Sequence, residues 1–177
     1  DLSVFADGPL TMKASATDKA GNPAERIAIF QKDTLASMTA HFVDETVNEG
    51  YAGYYNAAEF PLVNLNGQIV GVETGRTVTV VVADSAGHSV TVPSVTVQSG
   101  LWQAQDVDLS SLSPGVLTLT ASTSDLAGNP ASATDQFIYD PTALVTDIAL
   151  LDGDQVINQT EAGAVSFTGT TQDIEAG

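Results

Sequence analysis

The residues of this chain that could do chemistry are oxygen donors on loops. Asp125-Leu126-Ala127-Gly128-Asn129-Pro130-Ala131 repeats Asp18-Lys19-Ala20-Gly21-Asn22-Pro23-Ala24 at an offset of 107 positions. In each copy a tight Ala-Gly turn would bring an Asp carboxylate and an Asn amide together. Asp152, Asp154, Asn158 and Glu161 form a second set, spaced so that a short loop could wrap one cation, although the full EF-hand pattern is missing. Further acids stand near strand ends: Asp33, Glu73, Asp140, Asp173 and Glu175. Carboxylate and amide oxygens gathered on loops suit a hard cation, above all Ca2+, which takes about six to eight oxygen ligands.

Composition points the same way without deciding it. Twenty-two Asp and Glu face 5 Lys and Arg, for a formal charge of −17. That balance argues against nucleic acid and against an anionic membrane surface, since both need clustered cations. It leaves two readings open, a solubilising self-repelling surface or bound calcium. With no cysteine, neither disulfides nor thiolate zinc sites can hold the fold. No apolar run approaches the roughly 18 residues of a membrane-spanning helix. The chain opens on Asp1 with no visible leader, and so reads as an excised segment.

Catalysis finds little footing. His41 and His88 have no nucleophile motif around them, and His88 takes the place of Asn129 in a similar Asp-Ser-Ala-Gly turn. Paired carboxylates for glycoside hydrolysis need a cleft and a raised pKa, whereas these acids sit on small loops. No enzymatic activity is expected.

The elements that must position the donors follow from the repeat. At the offset of 107, Asp1-Leu2-Ser3 returns as Asp108-Leu109-Ser110, Gly8 as Gly115, Leu10 as Leu117, Phe30 as Phe137 and Asp33 as Asp140. A second echo at 102 takes Asn56 and Glu59 to Asn158 and Glu161, and Glu73-Thr74-Gly75 to Glu175-Ala176-Gly177. One copy therefore carries a five-residue insertion between Asp33 and Asn56. The window reads as one complete repeat, 35–141, preceded by the closing part of another (1–34) and followed by the opening part of a third (142–177). Each flank would leave a sheet face and edges open.

Within the repeat the pattern is β throughout. Val78, Val80 and Val82 alternate with Thr77, Thr79 and Val81; Leu117, Leu119 and Ala121 alternate with Thr118, Thr120 and Ser122. Further strands are expected at 60–66, 89–97, 101–107, 133–139 and 164–170, separated by Gly, Asn, Ser and Pro turns. Short strands at regular spacing, rich in Thr and Val, predict an all-β antiparallel sandwich of two sheets.

These motifs together carry a resemblance. The Asp-x-Ala-Gly-Asn loop (18–22 and 125–129) and Val72-Glu73-Thr74-Gly75 before the Thr/Val strand 77–82 are two parts of it. Asp84-Ser85-Ala86-Gly87, Trp102 before Asp106-Val107-Asp108-Leu109-Ser110, and Asp152-Gly153-Asp154 leading to Ile157-Asn158 and Glu161 are the others. In that order the chain resembles the tandem bacterial immunoglobulin-like domains of giant RTX-type adhesins exported by type I secretion. The resemblance implies immunoglobulin-like sandwiches in tandem, a secreted protein at the bacterial cell surface, and calcium-rigidified extenders that hold an adhesive tip away from the cell. It also implies that Trp102 is a core aromatic and that neighbouring repeats of the same chain are the partners.

In a seven-strand sandwich with its termini at opposite poles, the Glu73 loop and the Asp125–Asn129 loop would share the pole where the preceding repeat enters. Asp33 would meet them there, and Asp18 and Asn22 are the same pair one repeat earlier. At the next junction Asp140 would meet Asp173 and Glu175. The competing reading is that Asp-x-Ala-Gly-Asn is only a turn, with both side chains bonding their own backbone. At the second set the complete repeat departs, since Gly50 and Ala52 stand where Asp152 and Asp154 recur, with Asp44, Glu45 and Glu49 nearby. The insertion also carries Tyr51, Tyr54 and Tyr55, which a ligand- or carbohydrate-binding module could use to stack on a sugar; the plainer expectation is a cover over one end of the sandwich. A third reading, an accessory module of a secreted polysaccharide-degrading enzyme, fits poorly with repeats on both sides.

Overall fold

In a computed structural model the structure describes residues 1–43, 53–151 and 156–174. The acids Asp44, Glu45, Glu49, Asp152, Asp154 and Glu175, together with Tyr51, lie outside the described residues. Among the described residues there is no α-helix, only strands, turns and two short 3-10 turns, so none could cross a membrane as a helix.

The chain begins with a hairpin, β1 (Gly8–Thr17) and β2 (Pro23–Lys32), paired antiparallel only with each other. Next come β3 (Ser37–Met38), β4 (His41–Val43), β5 (Tyr54–Tyr55) and β6 (Val63–Val70). They are followed by β7 (Thr79–Asp84), β8 (Ser89–Val92), β9 (Leu101–Val107), β10 (Gly115–Ser124) and β11 (Pro130–Tyr139). The chain closes with a second isolated hairpin, β12 (Leu144–Leu150) and β13 (Phe167–Gln172).

Strands β3 to β11 form two sheets. The larger has the order β5-β11-β10-β7-β8; in the smaller, β6 is flanked on one side by β3 and β4 and on the other by β9. This is an immunoglobulin-like sandwich, with β6 and β9 on one sheet and β7, β10 and β11 on the other. One pairing departs from a purely antiparallel layout. β5 runs parallel to β11, with Ile138 opposite Tyr54 and Tyr139 opposite Tyr55, and so lies along the edge of the larger sheet.

The alternation fixes the core. Val78, Val80, Val82, Leu117, Leu119 and Ala121 are all buried, as their period-two spacing requires. Trp102 is buried too, and its indole donates to the Thr39 carbonyl at 2.9 Å. That hydrogen bond depends on Gly67, because a Cβ there would run into the Thr39 carbonyl and the indole nitrogen. Tyr55 is buried, packs against Phe42 and Phe137, and donates its hydroxyl to the Val43 carbonyl at 2.8 Å.

Four expected strands shift; the one expected at 133–139 already begins at Pro130. Residues 60–62 form a 3-10 turn, so β6 begins at Val63. The stretch 89–97 is broken after Val92 by Pro93 and by Ser94, whose φ of 61° turns the chain. The strand expected at 164–170 runs from Phe167 to Gln172.

The two hairpins copy parts of the sandwich. β1 and β2 pair Leu10 with Phe30, the register in which β10 and β11 pair Leu117 with Phe137. β12 and β13 pair Leu144 with Gln172, where β3 and β6 pair Ser37 with Val70. The same positions are covered in the sandwich and open in the hairpins: Leu119 is 0% exposed and Met12 is 58% exposed.

Candidate metal-junction site

The Asp-x-Ala-Gly-Asn segment is a closed hairpin turn, seen twice among the described residues and once more with His88 in place of the Asn. In the first, Asp18 Oδ1 accepts from the Ala20 and Asn22 backbone N–H groups, while Oδ2 accepts from the Asn22 side-chain amide, each at 2.9 Å. In the third, Asp125 Oδ1 accepts from Asn129 N at 2.8 Å and Oδ2 from the Asn129 amide at 2.6 Å. Between them, Asp84 repeats the pattern with His88, accepting at 2.9 Å from Ala86 N and His88 N and lying 2.8 Å from His88 Nδ1. Gly21, Gly87 and Gly128 supply the positive φ, from 88° to 96°, that closes each turn.

The local bonding is alike, but the surroundings differ. Asp18 is exposed and Asp125 is buried. At Asp18 the Asn22 side chain, then the backbone, holds the carboxyl below the ordinary carboxylate range. At Asp125 burial works against ionisation, yet the hydrogen bonds from Asn129 and the turn backbone outweigh it and the carboxyl still lies below that range.

Tertiary packing then gathers the other predicted donors around the third turn. Glu73 Oε2 accepts from Leu126 N at 2.9 Å. The Asn129 amide, already on Asp125, also donates to the Asp33 carbonyl at 3.1 Å. Arg76 clamps the approach to this turn, donating to the Ser124 carbonyl at 2.8 Å and to the Asp125 carbonyl at 3.0 Å. Glu73, Asp125, Asn129 and the main-chain carbonyl of Asp33, whose carboxylate accepts from Leu35 N at 3.4 Å, therefore meet at the pole where the first hairpin's chain enters the sandwich.

At the other end Thr142 connects two predicted donors. Its N–H donates to Asp140 Oδ1 at 3.3 Å and its hydroxyl to Asp173 Oδ2 at 3.4 Å. Asn158 and Glu161 are also brought together, in a way that accounts for their repetition. Asn158 Oδ1 accepts from Thr160 N and Glu161 N, while Glu161 Oε2 accepts from Asn158 N at 2.9 Å. Asn56 and Glu59 do the same, with Glu59 Oε2 accepting from Asn56 N at 3.0 Å. This reciprocal bonding, the logic of a capping box, braces the start of each 3-10 turn.

The donors at the chain entry are hard oxygens, whose chemistry suits Ca2+. Among the described residues, however, no three acidic or imidazole groups converge closely enough to hold a metal ion by themselves. A cation at the entry pole would therefore draw on Asn129 and backbone carbonyls beside the carboxylates.

One cluster could not be read from the sequence. Ser113 N donates to Asp84 Oδ2 at 2.8 Å, and Ser113 Oγ lies 3.4 Å from His88 Nδ1. A serine, a histidine and an aspartate are thus together, but serine and aspartate share the same ring nitrogen. A proton relay needs them on opposite nitrogens, so this cluster ties two loops together rather than activating the serine. Its signal in the sequence was the Asp84-Ser85-Ala86-Gly87 turn; nothing there pointed to Ser113. Arg76 was missed for the same reason, because a lone basic residue gives no hint of the carbonyls it will reach.

No family model matches the chain, and no curated protein matches it significantly. Solved structures do. The tetra-tandem repeat in the extending region of a large adhesion protein is 30% identical, with a TM-score of 0.54 over 99% of this chain and 41% of that one. The chain thus spans about two fifths of that structure. Two further structures are alike at lower similarity. A 1.5-MDa bacterial ice-binding adhesin, in a structure concerned with host cell surface retention, is 21% identical with a TM-score of 0.45 over 98% of this chain and 56% of that one. A Ca2+-stabilized adhesin that helps an Antarctic bacterium reach out and bind ice is 22% identical with a TM-score of 0.36 over 92% and 40%. By sequence and fold together, this chain, with its immunoglobulin-like sandwich, resembles the tandem repeats in the extending region of a large adhesion protein.

Proposed function

We propose that this chain is a structural extender segment of a secreted bacterial surface adhesin, stiffened at its repeat junctions by Ca2+ and serving to project a distal adhesive tip. Residues 35–141 are the complete repeat; 1–34 and 142–177 belong to the repeats before and after it. The observation that carries this reading is the convergence of Glu73, Asp125, Asn129 and the main-chain carbonyl of Asp33 at the entry pole, linked through hydrogen bonds of 2.6–3.1 Å.

Glu73 and Asp33 would supply carboxylates to the ion and Asn129 its amide oxygen, while Asp125 positions Asn129. Asp140, Asp173 and Glu175 would do the same one junction later, as Asp18 and Asn22 would one junction earlier. Asp152 and Asp154, with Asn158 and Glu161, would supply oxygens to a second ion, a proposal that rests on their spacing in the sequence alone. Unscreened, acids at one pole repel, so an empty junction is loose and a filled one stiff. The tyrosine-based alternative has less support, since Tyr55 is buried and cannot reach a ligand.

The test is a chain extended to whole repeats on both sides, measured by thermal unfolding and small-angle scattering in calcium and then in chelator. Calcium should raise the melting temperature and give a longer, straighter particle. If neither changes, the acids are only a solubilising surface and the extender loses its stiffening mechanism.

A further inference from the structure

Part of the outer face of the smaller sheet is free of Asp, Glu, Lys and Arg, unlike the stretch of the same sheet around Asp106. β6 lies in the middle of that sheet, and its solvent-facing positions include Asn66 and Gln68. Asn66 sits opposite His41 of β4 on one side and Gln103 of β9 on the other, and Gln68 sits opposite Leu101. All five of these partners are exposed. Between β3 and β4 the edge is interrupted at Thr39, and there the surface dips into a recess of about 360 Å3. That volume falls within the range of small-ligand sites, roughly 300–1,000 Å3. Its floor includes Trp102, and no Asp, Glu, Lys or Arg lines it, in a chain of net charge −17.

We propose that this recess binds a neutral oligosaccharide. Each primary amide offers two N–H donors and a carbonyl acceptor, a set that matches vicinal hydroxyl pairs and has no preference for net charge. Leu101 provides an apolar surface for the C–H face of a sugar ring. β6 is paired on both sides, so a peptide could add a strand only at an outer edge of the sheet, away from Asn66 and Gln68. Polyanions are repelled by the charge of the whole molecule. His41, which also lines the recess, lies 3.9 Å from Asp135 Oδ2 through its Nδ1. The inference does not rest on the extender reading, and calcium is not required for it.

The test uses the 177-residue chain labelled with 15N, titrated with maltohexaose, cellohexaose and mannohexaose, and with hexagalacturonate as an acidic control. The expected result is saturable shifts of the Asn66, Gln68 and Gln103 side-chain amides and of the Trp102 indole for at least one neutral hexaose, and none for the acidic one. The chain has a single tryptophan, so its indole signal is unambiguous. The double substitution Asn66→Ala with Gln103→Ala should weaken binding at least tenfold while leaving the free protein's indole resonance in place, which shows that the sheet is intact. The proposal is overturned if no neutral hexaose gives saturable shifts, if they map elsewhere, or if the double variant binds equally well. Binding of the acidic hexamer at the recess would overturn it too. So would the same shifts arising from protein concentration alone, which would mark the face as a contact between copies.

Discussion

Leu119 and Met12 occupy the same repeat position, one in the sandwich and one in the first hairpin, and truncating each to alanine tests how the chain is divided. Leu119 is 0% exposed, and its neighbours across the sheet are Val82 of β7 and Asp135 of β11. Removing its branched end gives up transfer energy and leaves a cavity, at a cost of about 2–5 kcal/mol. At roughly 4 °C per kcal/mol for a domain of this size, the melting temperature should fall by about 8–20 °C. Met12 is 58% exposed, and Met12→Ala should change stability by no more than about 0.5 kcal/mol. Differential scanning calorimetry with guanidinium titrations of both variants reads the contrast directly. The decisive extension repeats Met12→Ala in a chain lengthened by a whole preceding repeat. If residues 1–34 close that repeat, the substitution becomes as costly there as Leu119→Ala. Equal, small effects of Met12→Ala in both chains would refute the assignment of the first hairpin to a covered core.

Gly67→Ala should place a methyl against the Thr39 carbonyl and the Trp102 indole nitrogen, costing about 2–4 kcal/mol through overpacking and a lost buried hydrogen bond. The indole proton resonance and thermal melts check it. The Asp84 carboxyl is held well below its ordinary value, first by the Ser113 backbone N–H, against the opposing effect of burial, and then by His88. Because its folded pKa is depressed, the stability it contributes is full above the unfolded value near 3.8 and is lost as pH falls toward the folded pKa. Denaturant titrations between pH 6 and 2 should show that decline, and Asp84→Asn should be less stable at pH 6 with a shallower acid loss. Asp33→Ala should abolish calcium-dependent straightening at one joint, seen by scattering, while leaving the repeat's own melting transition within about 2 °C.

Much of the fold was legible because it is written in local chemistry. The Asp-x-Ala-Gly turn closes by hydrogen bonds within five residues, so Asp18 in an open hairpin and Asp125 in a packed one bond alike. The alternation at 78–82 and 117–121 named core residues because a strand's side chains have period two, and the offset of 107 carried the same register into both hairpins. What the sequence could not show depends on distance along the chain. Asp125 becomes buried, and meets Asp33 and Glu73, only when segments 96 and 53 residues apart arrive at one pole. Ser113 reaches Asp84, β5 lies parallel along β11, and His41, Asn66 and Gln103 align into one row through strand pairings that leave no trace in composition. A turn needs only its own residues to choose a conformation. A pole, a row or a recess is chosen by backbone pairing between distant strands, and that choice is made by the tertiary structure.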